Sequence, residues 1–401
     1  MRRIFSIAYY ECLAILRTPI LLIMVVFTPV LYGCIFGAVY FHPIITNIPT
    51  AIVDQDHSDL SRQIADAYRH SPAFAVREDI TEYSDLEAAM RDGRIRAGII
   101  IEKDLQNRVE KHEACKVLAV YDASNLVWGY NIRKNVRTVV SEFNTWWVTQ
   151  KVGEMGFDRY EQEQLISPLS YNVEVWYNPT YSYANFMLYG LFLMILHQIG
   201  LMSVALSIPR EREKNTWIHF QTAGITRGAI MAGKCLPYFM IFMLQYLLLL
   251  IFGVKFFHLA YYGTSTFWLL AFGVLYVTLL LFIGYTISYW LPNSLQATRF
   301  IMLVSVPFIM MSGMIWPPTH IPKGLNWLAS LLPFTHAQKF IRIFAQKNGG
   351  WEQFGDCILV LCGMLAVTVA IFLLFCHRRE SVPEKDGRYL NWGREYPHRN
   401  K

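Results

Sequence analysis

The sequence predicts an α-helical polytopic membrane protein with six spans and an extracytoplasmic α/β domain between spans one and two. Of its 401 residues, 54% are hydrophobic and only 16% are charged, a composition typical of membrane proteins. Six apolar stretches approach the roughly 20 residues that a membrane helix needs. A long polar stretch, 42–180, separates the first of them from the rest. The six predicted spans are 20–41, 183–208, 235–257, 265–290, 300–316 and 355–376.

The distribution of charge predicts the orientation. The 42–180 stretch holds 15 Lys and Arg against 21 Asp and Glu, whereas the remainder holds 21 against 9. Basic segments stay on the cytoplasmic side of a membrane, so we expect both termini to be cytoplasmic and 42–180 to be outside. A second basic group, near 323–347, falls on the outer side and runs against this trend.

Residues 1–19 have the pattern of an amphipathic helix in the cytoplasmic interface, and 377–401 form a basic cytoplasmic tail that suits a membrane surface rather than nucleic acid. Within 42–180, strand-like pieces at 51–54, 73–76, 95–101 and 117–121 alternate with helical ones. Ser58 and Ser84 are candidate N-caps of two of these helices, and a long helical pattern covers 125–152. This alternation favours an α/β domain.

The region 307–345, which includes the end of the fifth span, is predicted to be a re-entrant outer segment. Pro307 and Gly313 interrupt the apolar stretch, and Trp316-Pro317-Pro318 ends it. A helix lying on the membrane surface is expected to follow, as far as Ala345. Irregular backbone at membrane depth is tolerated only inside protein or along a cavity.

A charged cluster, 210–217, follows the second span directly and cannot enter lipid. We expect a helix over 210–222 that lies parallel to the cytoplasmic face and acts as a lever for a soluble partner. The alternative is a loop whose positive charges only set the topology.

The predicted spans lack Asp, Glu, Lys and Arg near their midplanes, which argues against ion-driven transport and for an external energy source. His197 and Gln198 lie in the middle of the second span. His197 has two interpretations, contact with a substrate or an interhelical hydrogen bond. Phe186 and Tyr189 line a hydrophobic path or belong to an interfacial aromatic belt.

The stretch Gly228 to Cys235 imitates a phosphate-binding loop but has Cys235 where the pattern needs Ser or Thr, and a membrane helix follows at once. No catalytic or metal-binding constellation is apparent. We therefore expect no cofactor and no ATPase on this chain, and a separate polypeptide that supplies the energy.

Several motifs, in this order, resemble those of the membrane subunits of type-2 ATP-binding-cassette (ABC) exporters. Asn215 stands where that pattern has Gly, and Ala223-Gly224 where it has Thr/Ser-Pro. The similar stretches are Tyr10-Glu11 with Leu16-Arg17-Thr18-Pro19, 54–62, 93–101, Glu211-Arg212-Glu213 with Thr216, Met311-Ser312-Gly313 with Trp316-Pro317, and Pro333-Phe334-Thr335-His336.

This resemblance implies the permease half of an exporter in the bacterial cytoplasmic (inner) membrane. It implies a second permease chain, identical or paralogous, and cassette ATPase subunits that bind ATP and Mg²⁺; a periplasmic adaptor is a further expected partner. The bulky apolar spans suggest a hydrophobic or amphiphilic cargo. The implied coupling residues are Glu11, Arg210, Glu211, Arg212, Glu213, Thr216 and Trp217; the implied outer gate is Met311, Ser312, Gly313, Trp316 and Pro317; and the candidate path residues are Phe186, Tyr189, His197 and Gln198.

Two other functions stay open at this point. A membrane-anchored sensor with an extracytoplasmic ligand-binding domain requires a cytoplasmic signalling domain, but only a short basic tail follows the last span. A membrane enzyme requires polar catalytic groups in or beside the spans, and the sequence holds no coherent set.

Overall fold

A computed structural model describes residues 2–40, 45–111, 113, 115–154, 176–178 and 182–380, with the backbone alone for 375–380. The chain divides into two compact units, one of Met1–Phe41 with Trp176–Lys401 and one of His42–Val175. The first is called the helical unit below and the second the sheet unit. Most of the basic tail predicted at 377–401 lies outside the described residues.

The helical unit begins with two helices, α1 (Arg2–Arg17) and α2 (Pro19–Val39), which meet at Thr18. Pro19 starts α2, a position where its missing N–H breaks no helical hydrogen bond. A short π-helical turn, Ile23–Phe27, follows inside α2. The helix α1 packs along the third membrane helix and buries Glu11 on that face.

The sheet unit contains a four-stranded mixed sheet in the order β2-β1-β3-β4. Strand β1 is parallel to β2 and β3, whereas β4 is antiparallel to β3. Two apolar clusters form its core. The elements are β1 (Ile48–Asp54), α3 (Asp59–His70), β2 (Phe74–Arg77), α4 (Tyr83–Arg91), β3 (Ala97–Ile101), α5 (Leu105–Glu110), β4 (Val117–Tyr121) and α6 (Leu126–Glu154).

One predicted cap in the sheet unit is confirmed and one is wrong. The Ser58 side chain accepts a hydrogen bond from the Ser61 N–H at 3.0 Å and caps α3. Ser84 lies inside α4, whose N-cap is Glu82. The earlier start gives Leu86 an N–H bond to the Glu82 carbonyl while Leu86 stays buried.

The helical unit continues with nine helices in its described part, and with α2 it holds six segments long and apolar enough to cross a membrane, the predicted number. These segments are Pro19–Val39, Tyr183–Glu213, Arg227–Phe256, Thr266–Trp290, Ser294–Met311 and Trp351–Leu374. The helices are α7 (Tyr183–Ala205), α8 (Ser207–Glu213), α9 (Trp217–Thr222), α10 (Arg227–Phe256), α11 (Thr266–Trp290), α12 (Ser294–Met311), α13 (Lys323–Ser330), α14 (Pro333–Ile341) and α15 (Trp351–Glu380).

The second membrane helix, α7, lies at the centre of the helical unit. It packs against α2, α10, α11, α12 and α14, and most of its side chains are buried. The other membrane helices leave large apolar side chains exposed, as expected where lipid covers them.

Two helix boundaries and the surroundings of one helix differ from the sequence predictions. The third membrane helix begins at Arg227 instead of 235, so Lys234 lies inside it. The fifth runs from Ser294 through Pro307 to Met311, and the irregular backbone starts only after it. The helix expected on the membrane surface, α14, is instead buried through Phe334, Phe340 and neighbouring residues, because it packs against α7 and α15. Phe340 stacks on Phe272 of α11, with ring centroids 4.1 Å apart.

Candidate functional site: a buried ion-pair network

A lysine inside the third membrane helix bridges two acidic residues from different parts of the chain. Lys234 is only 1% exposed. Its Nζ lies 2.8 Å from Oε2 of Glu11 on α1 and 2.7 Å from Oε1 of Glu211 on α8. A buried charge of this kind is tolerated only when it is paired and hydrogen-bonded.

The other carboxylate oxygen of Glu11 is also satisfied. Its Oε1 accepts hydrogen bonds from the Tyr238 hydroxyl at 2.9 Å and from Arg210 Nη2 at 3.0 Å. Arg210 Nη2 also donates to the Tyr238 oxygen at 2.8 Å. We call these five residues, Glu11, Arg210, Glu211, Lys234 and Tyr238, the Glu11–Lys234 network. Its two carboxylates balance its two cations, and it joins α1, α8 and α10.

The segment 210–222, predicted to be one helix, is two short helices separated by a turn. Asn215 has a left-handed backbone with φ of 56°, which ends α8. Asparagine tolerates this conformation better than most residues. After the turn, the Thr216 N–H donates to the Glu211 carbonyl at 2.9 Å, and the Thr216 hydroxyl donates to the Glu211 side chain.

Arg212 and Glu213 hold the connection between α11 and α12. Arg212 donates from Nη1 to the Leu291 carbonyl at 3.1 Å and from Nη2 to the Tyr289 carbonyl at 3.3 Å, at the end of α11. The Glu213 carboxylate accepts from the Ser294 N–H at 2.7 Å and from its hydroxyl at 2.8 Å, at the start of α12. Each charge has the sign that stabilises the helix end it meets.

The short helix α9 has one packed face and one open face. The Trp217 ring meets the Tyr289 ring edge-on, with centroids 6.0 Å apart. The Phe220 ring lies 5.5 Å from Lys234 Nζ, which places it against the network. Ile218, on the same helix, is 57% exposed. The open face is therefore available to another protein, whereas the packed face is bound to the membrane helices.

The chain is similar to known membrane transporter proteins. A family model for ABC-2 family transporter proteins matches residues 19–376. The chain belongs to this family. The probable multidrug ABC transporter permease YbhR of Escherichia coli (strain K12) is 22% identical over 74% of this chain and 78% of that protein. The probable multidrug ABC transporter permease YbhS of the same strain is 24% identical over 83% of this chain and 85% of that protein.

A more distant relative is ABC transporter G family member 20 of Dictyostelium discoideum, 23% identical over 51% of this chain and 28% of that protein. The predicted resemblance to type-2 ABC exporters is thus confirmed. The chain is a multi-pass transmembrane permease subunit, and its family implies a cassette ATPase partner.

In this ABC-2 permease, the structure brings all seven of the sequence-predicted coupling residues to one region of the helical unit. Glu11, Arg210 and Glu211 belong to the network, and Thr216 is bonded to Glu211. Arg212, Glu213 and Trp217 contact the α11–α12 connection or the end of α11.

Sequence reasoning missed Lys234 and Tyr238, two residues four apart on one face of α10. The stretch that imitates a phosphate-binding loop is continuous helix, which offers no loop to cradle phosphates, and two carboxylates hold its lysine. Within the described ranges, no group of three or more His, Cys, Asp and Glu is arranged to hold a metal ion.

The predicted gate residues of the permease follow α12 directly. Met311 ends the helix, and the Ser312 hydroxyl donates to the Ile309 carbonyl at 2.7 Å. Gly313 has a φ of 82°, and a Cβ there would lie 2.7 Å from the Pro318 ring. Trp316 and Pro317 are exposed. The bend is thus held by packed residues at Ser312 and Gly313 and is exposed at Trp316 and Pro317.

Arg342, which the sequence analysis did not single out, anchors this bend. Its Nη2 donates to the Met314 carbonyl at 2.9 Å and to the Phe186 carbonyl at 3.3 Å. Its guanidinium also lies over the Phe186 ring, 4.7 Å from the centroid. Burial lowers the pKa of the Arg342 guanidinium, which stays charged at neutral pH.

The four candidate path residues lie in different surroundings. Tyr189 is buried and donates to the Ala260 carbonyl at 3.0 Å. His197 Nδ1 lies 2.9 Å from the Tyr276 hydroxyl, the interhelical hydrogen bond that was one of its two interpretations. The Gln198 Oε1 is buried and has no hydrogen-bond partner in the described part of the chain. Phe186 is partly exposed beneath Arg342.

Proposed function

We propose that this chain is the permease half of an ATP-driven exporter in the bacterial cytoplasmic membrane, with both termini cytoplasmic and the sheet unit outside. The basic segments beside the first, second and last spans support this orientation. Separate cassette ATPases bind ATP and Mg²⁺, and this chain performs no catalysis. A second permease chain, identical or paralogous, completes the translocation path.

The Glu11–Lys234 network is the observation that carries the coupling mechanism. An ATPase that contacts the exposed face of α9 pushes on a segment held by close ion pairs to α1 and α10. Arg212 and Glu213 hold the same segment to the α11–α12 connection. Movement of α8 and α9 therefore displaces four membrane-associated helices instead of a free loop.

The cargo follows from the family and from the character of the spans. Two relatives are named as probable multidrug ABC transporter permeases, and the spans here are bulky and apolar. We propose a hydrophobic or amphiphilic substrate that leaves through the bend at Ser312–Pro317. The sheet unit binds a periplasmic adaptor.

The test has two arms. Purification in mild detergent with an affinity tag on this chain is expected to recover a cassette ATPase. In proteoliposomes, Glu213→Arg is expected to reduce ATPase stimulation and ethidium export at least fivefold, because the new cation repels the start of α12. Lys214→Glu is the control, since it reverses an exposed neighbouring charge. Recovery of no ATPase contradicts the function, and an unaltered Glu213→Arg permease contradicts the coupling role.

A further inference from the structure

A groove of about 560 Å³ lies between α1 and α9. Arg2, Arg3, Ser6 and Tyr10 line it on the α1 side, and His219 and Phe220 line it on the α9 side. Phe220 also lies 5.5 Å from Lys234 Nζ, so the groove borders the Glu11–Lys234 network, although none of the five network residues lines it.

The charge in this groove is entirely positive. Arg2 and Arg3 are exposed, and neither forms an ion pair within the described residues. The single acidic residue of α1, Glu11, is 4% exposed and already paired. On the other side, Glu211 and Glu213 are also engaged. Among the described residues, no carboxylate lines the groove to neutralise the two arginines, so the groove attracts an anion.

A stripe of apolar side chains runs along α1 beside the groove. Phe5, Tyr9, Cys12 and Leu16 are all exposed, and their spacing places them on one helix face. This face differs from the one that carries Glu11. Exposed apolar side chains continue onto the first span, which runs into hydrocarbon, as Ile20, Ile23 and Phe27.

We propose that the groove binds the phosphate headgroup of an anionic phospholipid, whose acyl chains lie along the apolar stripe of α1. A single ligand of this kind satisfies the two arginines and covers the exposed stripe. A free anion neutralises the two arginines but does not cover the apolar stripe. A polar protein surface leaves the stripe exposed to water. Lipid binding rests on the proposed function only in placing α1 at the level of the lipid headgroups. It does not require an ATPase.

The lipid contacts α9 as well as α1. Because α9 also carries the face offered to a partner protein, the bound headgroup holds this helix against α1 and stabilises the position in which the partner meets it. Anionic lipid is therefore expected to support coupling as well as stability.

The test is native mass spectrometry of the purified full chain in mild detergent, titrated separately with phosphatidylglycerol and phosphatidylcholine. Arg2→Gln with Arg3→Gln is expected to lower phosphatidylglycerol affinity about 25-fold, since each of the two basic side chains near an anionic headgroup contributes roughly a factor of five. The matched control, Arg17→Gln with Lys214→Gln, removes two exposed charges that do not line the groove. It is expected to bind within twofold of wild type. Glycerol phosphate, which lacks acyl chains, is expected to compete poorly.

Four outcomes overturn the inference. Equal binding of both lipids by wild type removes the role of charge. Equal loss in the test and control variants indicates general surface attraction. Full competition by glycerol phosphate indicates a small-anion site. If the test variant keeps its lipid but fails to recover the ATPase, the groove belongs to the partner protein. Because the titration uses the chain alone, its failure is distinguishable from failure of the proposed function.

Discussion

The Glu11 carboxylate and the Lys234 ammonium lie 2.8 Å apart, although 223 residues separate them in the sequence. Both side chains are almost completely buried. An ion pair this far from water is a weak source of net stability, but removal of one partner leaves an uncompensated buried charge. The pair therefore fixes how α1 packs on α10.

Lys234→Met is predicted to destabilise the helical unit strongly. Removing the cation leaves Glu11 and Glu211 without their shared partner, and the loss of one member of a buried pair costs about 3–5 kcal/mol. Thermal unfolding of the purified chain measures the effect. Lys214→Met, at an exposed position, is the control and is expected to unfold within about 1 °C of wild type, as surface substitutions usually do. Equal unfolding temperatures for the two variants contradict the network.

Glu11→Gln and Lys234→Met are predicted to be non-additive. Once the lysine is gone, neutralising Glu11 removes a charge that has become unfavourable, so the double variant loses about 1–3 kcal/mol less than the sum of the single losses. A double-mutant cycle on unfolding in detergent measures this coupling. Glu11→Gln with Arg342→Gln shares no recorded partner and is expected to be additive. Additivity in both pairs is the contrary result.

The sequence was informative where the signal is local. Span number follows from runs of apolar residues, and the Ser58 cap follows from one residue and the N–H three positions later. Most of the predicted coupling residues form a charged cluster beside a span, and the family resemblance added Glu11. Their partner Lys234 was not predicted, because nothing in a local pattern pairs it with Glu11 across the chain.

The burial of α14 shows the same limit. Its amphipathic pattern suits a membrane surface as well as a protein groove, and only the packing of α7 and α15 decides between them. The sequence pattern also did not determine which face of α1 packs against α10. Apolar side chains lie both on the exposed face with Phe5 and Leu16 and on the buried face with Ile7 and Ile15, and the buried face includes the single acid of this helix.

Glu213→Gln is predicted to weaken the start of α12. The neutral amide keeps one acceptor oxygen for Ser294 but loses the charge that favours a helix N-terminus, a change of roughly 0.5–1 kcal/mol. We expect a small fall in thermal stability and a larger fall in ATPase stimulation, because this contact joins α8 to α12. Ser294→Ala removes only the hydrogen bond from the hydroxyl, so we expect smaller falls in thermal stability and in ATPase stimulation. Unchanged stimulation in both variants argues against the contact as a coupling element.

Gly313→Ala is predicted to disturb the bend after α12. The residue has a φ of 82°, and a Cβ would lie 2.7 Å from Pro318, so the backbone must shift by an amount that costs about 1–2 kcal/mol. Gly324→Ala is the matched control, since nothing lies within 4 Å of a Cβ at that position and its φ is ordinary. Ethidium export should fall only in the first variant. Equal export by both variants contradicts a role for the bend in export.

The most direct test of the central claim is ATP hydrolysis by the co-purified cassette ATPase in proteoliposomes that contain wild-type, Lys234→Met or Lys214→Met permease at equal incorporation. Wild type and Lys214→Met are predicted to stimulate hydrolysis when ethidium is added. Folded Lys234→Met permease is predicted to bind the ATPase but to lose most of that stimulation. Stimulation by Lys234→Met equal to wild type contradicts the claim that the Glu11–Lys234 network couples the ATPase to the membrane helices.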